Sequence, residues 1–283
     1  MPDCIAPTEA AASHSAWQAS LALRFADDAG TTRLIDNTHV GPLRVQKALY
    51  PEGGAVCHAI IVHPPGGVVG GDQLAIAVTV GELARALLTT PGAAKWYKAN
   101  GKRSRQTVLL EVGQGGSLEW LPQETIFFDQ ADVALEQTIH LAADARYIGC
   151  EILCMGRRAS GETFATGCVA QRTQIRRDGK LIWWEQGALL GGRLDSPLAL
   201  NGHTVCATLI AIGAPLPASL LDELRAGMAA DTAFGITQTR GVLVARHLGD
   251  DSEAARRTML AVWRRVRPHL LERAAVTPRI WQT

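Results

Sequence analysis

The chain has 283 residues, with 28 basic against 27 acidic side chains, a formal net charge of +1, and 47% apolar residues. That length accommodates a substantial core, and the charge balance removes any general attraction to nucleic acid or anionic membranes. Asp3 stands where a secretory leader carries positive charge, and the longest apolar stretch, Val205 to Leu216, is too short to span a bilayer. A cytoplasmic location without membrane contact is therefore expected. The six cysteines (Cys4, Cys57, Cys150, Cys154, Cys168 and Cys206) then read as reduced thiols packed as small hydrophobes.

Met1 to about Ser15 is poor in large apolar residues and reads as a disordered tail, leaving 16–283 as one unit. Trp17, Ala19, Leu21, Leu23 and Phe25 alternate with polar or small residues, the mark of a half-buried strand. Asp27-Asp28-Ala29-Gly30 is a turn, and Thr31–Val40 is extended again. Strands are predicted at Leu43–Ala48, Cys57–Val62, Leu74–Val80, Arg85–Thr89, Thr107–Val112, Leu118–Leu121, Val133–Leu141, Tyr147–Cys154 and Thr163–Ile175. Asp178-Gly179 turns the last of these into Lys180–Trp184, the strongest hairpin signal in the chain. Thr204–Ile212 and Gly241–Arg246 read as late core strands. Two helices are predicted. One opens with a capping box at Ser219-Leu220-Leu221-Asp222 and runs to about Ala230. The other runs from Ser252 to Arg267 and ends at Pro268, with Asp250 and Asp251 at its positive end. Ala255, Met259, Val262 and Val266 line one of its faces, while Arg256, Arg257, Arg264, Arg265 and Arg267 cover much of the rest. That basic face is either solvated or a docking surface for an acidic partner.

The most distinctive stretch is His63-Pro64-Pro65-Gly66-Gly67-Val68-Val69-Gly70-Gly71-Asp72. Its glycines and prolines encode a specific loop shape. It is no phosphate cradle: Asp72-Gln73 follows where a Walker loop has Lys-Ser/Thr, and a strand follows where that loop has a helix. Other chemistries fare no better. On a strand, Cys150 and Cys154 are separated by roughly 13 Å, at about 3.3 Å per residue, and no His or Cys pair at metal-site spacing completes a tetrahedral set. No Gly-x-Ser-x-Gly elbow is present. Lys95-Trp96-Tyr97-Lys98 with Lys102-Arg103-Ser104-Arg105 is either an exposed loop or a short contact for nucleic-acid backbone. What remains is a set of acids in apolar surroundings: Asp72, Glu124, Glu151 and Glu185. Carboxylates in such positions are exposed, paired, or available to a cation.

The glycine loop, Thr90-Pro91-Gly92-Ala93-Ala94-Lys95-Trp96-Tyr97, Glu119-Trp120-Leu121-Pro122-Gln123-Glu124-Thr125-Ile126-Phe127-Phe128 and the terminal Pro278-Arg279-Ile280-Trp281-Gln282-Thr283 occur in order along the chain. Gly41-Pro42-Leu43, Gly156-Arg157 and Gly161-Glu162-Thr163-Phe164 fit the same pattern. Together they resemble the urease accessory protein family UreD, called UreH in some bacteria, from about Trp17 to Thr283. The resemblance implies a mainly β fold, an elongated stack of β-strands with a few α-helices, the clearest near the C-terminus. It also implies a non-catalytic maturation factor with no permanently bound cofactor. Such a factor binds the urease apoprotein, recruits UreF and through it UreG, and passes nickel in transit along a polar internal tunnel. Asp72 and Glu124 carry over as nickel-passage residues from matched motifs, and Glu151 and Glu185 from flanking similarity. Arg256, Arg257 and Arg264 are the expected partner-binding residues. The alternative is a recruitment scaffold through which no metal passes.

Overall fold

The computed structural model describes residues 16–227 and 233–282. The expected N-terminal tail and the predicted helix end near Ala230 lie outside them. Two hairpin-forming strands, β1 (Gln18–Asp28) and β2 (Thr31–Val40), are followed by β3 (Arg44–Leu49) and β4 (Cys57–Val62). The chain then winds between two facing sheets through β5 (Gln73–Val80), β6 (Arg85–Thr89), β7 (Ala94–Trp96), β8 (Ser104–Val112), β9 (Ser117–Leu121), β10 (Thr125–Phe127), β11 (Asp132–Leu141), β12 (Arg146–Met155) and β13 (Cys168–Arg177). It closes with β14 (Lys180–Leu190), β15 (Val205–Ile212), α1 (Ala218–Gly227), β16 (Phe234–Thr239), β17 (Val242–Gly249) and α2 (Ser252–Leu271). One sheet has seven strands in the order β14-β13-β11-β8-β5-β1-β2. The other has ten, ordered β16-β17-β15-β12-β9-β6-β4-β3, with β10 and β7 attached beside β12.

The neighbours β1, β5, β8, β11 and β13 pair parallel, as do β4, β6, β9 and β12. Parallel neighbours need a crossover, commonly a helix. Here each crossover is a strand of the opposite sheet, so every circuit adds a rung to both sheets. The result is the mainly β, solenoid-like stack that the resemblance implied.

The two sheets differ in what covers them, and their sequences reflect it. The seven-stranded sheet has a solvated outer face, so β8 alternates buried Val108, Leu110 and Val112 with exposed Arg105, Leu109 and Glu111. On that face Glu136 ties Arg105 of β8 to Arg172 of β13, the latter at 2.6 Å. The ten-stranded sheet is covered by α2, which packs on β12, β15 and β17. Those strands are accordingly apolar on both faces. One core fills the space between the sheets, with Leu21, Val78, Leu110 and Ile139 among its members. A second lies under the helices, where Met259, Val262, Trp263 and Val266 meet Ile148, Leu209 and Ala245.

Several sequence expectations are corrected. The strand predicted over Thr163–Ile175 begins only at Cys168, because Phe164 is buried and Thr166 is held off the sheet by Asp129, whose Oδ1 accepts from its N–H at 2.8 Å. The first helix starts at Ala218, and the Pro217 carbonyl accepts from Leu220 and Leu221, so Ser219 is no N-cap. Helix α2 runs past Pro268 to Leu271. A proline in the final turn forfeits one backbone bond, and the burial of Leu270 and Leu271 holds that turn in place. Asp251, expected as a favourable charge at the positive end of α2, also caps it, accepting from Glu253 N at 2.8 Å. Asp178 and Gly179 both adopt positive φ, +47° and +76°, as the two-residue hairpin requires. Arg267 is 0% exposed, not part of a solvated face.

Candidate functional site

Successive side chains of a strand point to opposite faces. On β12, Cys150, Ile152 and Cys154 enter the core under the helices, while Leu153 and Met155 enter the core between the sheets. Glu151 shares their side. There it lines a small chamber with Gln137, Tyr147, Gln171, Thr173 and Thr208, and with Glu185 from β14 of the facing sheet. Glu151 Oε2 accepts from Gln171 Nε2 at 2.8 Å, and Glu185 Oε1 accepts from Arg246 Nη2 at 2.5 Å. Burial, followed by the neighbouring charge of Glu185, pushes the Glu151 carboxyl up to about 7. The Gln137 side-chain Nε2 is buried without a hydrogen-bond partner among the described residues.

The chamber holds about 30 Å³, on the scale of one or two waters. It shares Glu151, Gln171, Glu185 and Thr208 with a wider cleft of about 230 Å³. That cleft is lined by Cys206, Arg246 and the fully exposed Leu198. A carboxylate-lined space between the sheets thus leads toward the side of the stack where β14 and β17 lie. Its donor set of carboxylate, amide and hydroxyl oxygens suits a hard or borderline divalent cation held loosely.

Asp72 and Glu124 are not in this chamber. Asp72 is buried and clasps the glycine loop to β1: Oδ1 accepts from Trp17 N at 2.9 Å, and Oδ2 from Val69 N at 3.0 Å. The same loop lies flat on the segment after β7. A Cβ on Gly70 would stand 1.8 Å from the Ala99 carbonyl oxygen. Gly70→Ala is therefore expected to lower stability by about 3 kcal/mol or more, measured by urea unfolding; an unshifted midpoint would overturn this account of the loop. His63, at the head of the loop, lines a separate cavity against Thr90–Lys95, and burial holds its imidazole below the usual range. Glu124 lies on the helix side of the ten-stranded sheet, 3.4 Å from Arg256 Nε.

The three arginines expected to bind partners all have acceptors within the chain. Arg256 donates to Gln123 Oε1 at 2.6 Å, Arg257 pairs with Glu253 one turn earlier, and Arg264 donates to Thr277 Oγ1 at 3.1 Å.

Sequence reasoning missed a buried ionic cluster. Arg267 Nε donates to both Glu119 oxygens at 3.0 Å, and its Nη2 donates to Glu52 at 2.7 and 2.9 Å. Trp263 Nε1 adds a bond to Glu119 at 2.7 Å, and His58 Nε2 lies 2.7 Å from Glu52. The signal was present in the spacing: Arg267 falls one turn after Trp263, on the apolar stripe of α2. Burial pushes Glu119 up, with Arg267 opposing it. At Glu52 burial also acts upward, but the hydrogen bonds from His58 and Arg267 outweigh it and hold the carboxyl below the usual range.

Comparison with known proteins gives the family. The family described as "UreD urease accessory protein" matches residues 18–282. The urease accessory protein UreD of Janthinobacterium sp. (strain Marseille) is 63% identical over 94% of this chain and 92% of its own length. The corresponding protein of Nitrosospira multiformis is 51% identical, over 96% of this chain and 100% of its own length. The Pseudomonas aeruginosa UCBPP-PA14 protein is 48% identical, over 95% and 96%. With a match across nearly its whole length, the chain belongs to the UreD family of urease accessory proteins.

Proposed function

We propose that this protein is a non-catalytic scaffold in urease maturation, which binds the urease apoprotein together with UreF and, through it, UreG. We further propose that the chamber between its sheets passes nickel toward the urease active site. One observation carries the second part: Glu151 and Glu185, from opposite sheets, line one small chamber beside Gln137, whose Nε2 has no hydrogen-bond partner among the described residues. A route needs sites that an ion enters readily and leaves again. Carboxylates, here Glu151 beside an amide and Glu185 bonded to Arg246, hold nickel more loosely than thiolates and so meet that requirement better. Asp72 and Glu124 are engaged elsewhere, so the proposed passage rests on Glu151 and Glu185.

The test is nickel analysis of urease co-produced with Glu151→Gln or Glu185→Gln. A several-fold fall in nickel per urease, with normal amounts of assembled complex, is the expected result. Unchanged nickel would remove the chamber from the route. The protein would then be a recruitment scaffold alone, the reading favoured by the intramolecular engagement of the other two acids.

A further inference from the structure

A further cavity, of about 500 Å³, lies where β7 and β10 meet the ends of β12 and β15. Its floor is apolar, with Ile126, Phe128 and Val205. Its rim carries Lys95, Arg157 and Arg158 against a single carboxylate, Asp250. The Arg157 guanidinium sits 4.2 Å above the Phe128 ring and is held there by Glu162, with Nε to Oε2 at 2.9 Å. Tyr97 packs edge-on against the same ring, centroids 4.7 Å apart. Arg158 approaches Asp250 only to 3.7 Å, with both side chains about half exposed, a geometry that contributes little to stability. The Lys95 ammonium is exposed and has no ion-pair partner among the described residues. Weakly committed positive charge, from Lys95 and Arg158, therefore lies at this cleft.

We infer that the cleft receives an acidic segment of a partner protein. One apolar side chain of that segment rests on the apolar floor beside Ile126 and Val205, and flanking carboxylates meet Lys95 and Arg158. Charge complementarity selects the acidic character, and the apolar floor of Ile126, Phe128 and Val205 seats an apolar side chain. The near-neutral chain as a whole, at +1, has no general attraction to nucleic acid. This deepens the scaffold reading and rests on it.

The test places the photo-crosslinking residue p-benzoylphenylalanine at Ser160, on the exposed wall of the cleft, in cells co-producing the urease subunits and the other accessory proteins. Mass spectrometry of the adduct should identify a segment of one of those partners with net negative charge and an apolar residue at its centre. Lys95→Glu combined with Arg158→Glu should reduce the crosslink at least about tenfold, the equivalent of 1.4 kcal/mol, with an unchanged thermal melt. A crosslink to a neutral or basic segment, to nucleic acid or to a second copy of this chain would overturn the inference. So would an assembled complex with no crosslink, or a crosslink that survives charge reversal. Failure of any complex to assemble is a different result, and it would bring down the scaffold reading itself.

Discussion

Arg267→Met is expected to destabilise the protein by about 3–5 kcal/mol, because it strands two buried carboxylates without their shared cation. Glu119 is 2% exposed, and the Glu52 side chain 5%. Neither can recover its hydration without opening the contact between α2 and the ten-stranded sheet. The cluster joins α2 to β9, β4 and the connection before β4, so its loss should loosen the helix first. Urea unfolding followed by tryptophan fluorescence reads this directly, since Trp263 donates to Glu119. The triple replacement Arg267→Met, Glu119→Leu and Glu52→Leu should recover much of the loss by removing the unpaired charges along with the cation. A single-variant loss below about 1 kcal/mol, the range of solvated pairs, would show that water reaches the cluster.

Glu151→Gln is expected to move stability and nickel delivery in opposite directions. A carboxyl raised from 4.5 in the unfolded chain to about 7 in the folded one keeps its proton more tightly when folded. The wild type therefore loses stability as pH rises from about 4.5 through 7, and the full penalty is present above 7. At 1.4 kcal/mol per unit, discounted for partial exposure, the variant should be more stable by roughly 2 kcal/mol at pH 8 and no different at pH 4. Thermal melts across that range measure it. Under the proposed passage, the same variant should deliver less nickel to urease at pH 8 despite its firmer fold. A residue that costs stability and is needed for delivery is placed for function. If the variant is no more stable at pH 8 than at pH 4, relative to wild type, the carboxyl is not buried as described.

The β architecture was largely legible in the chain. Period-two alternation placed most strands correctly, and Asp178-Gly179 set the β13–β14 hairpin, because these signals are local and steric. Errors came where tertiary contacts override local preference. Phe164 plugs the core, so an extended-looking segment leaves the sheet; buried leucines carry α2 past Pro268; and Pro217, not Ser219, supplies the first acceptor of α1. The candidate site was half legible. Glu151 and Glu185 were conspicuous as acids among apolar residues, as were Asp72 and Glu124, and nothing local separated the two pairs.

The sequence alone determined which residues alternate, where the chain turns and, through its motifs, which family it joins. Only the tertiary structure decided which acids share a space. Alternation says which side of its own strand a residue occupies but not what faces that side. The winding of the solenoid brings β14 over β12, so Glu185 and Glu151 line a common chamber. It leaves Asp72 clasping a loop and Glu124 beneath a helix, because opposition between sheets is a property of the stacked rungs and of no single strand.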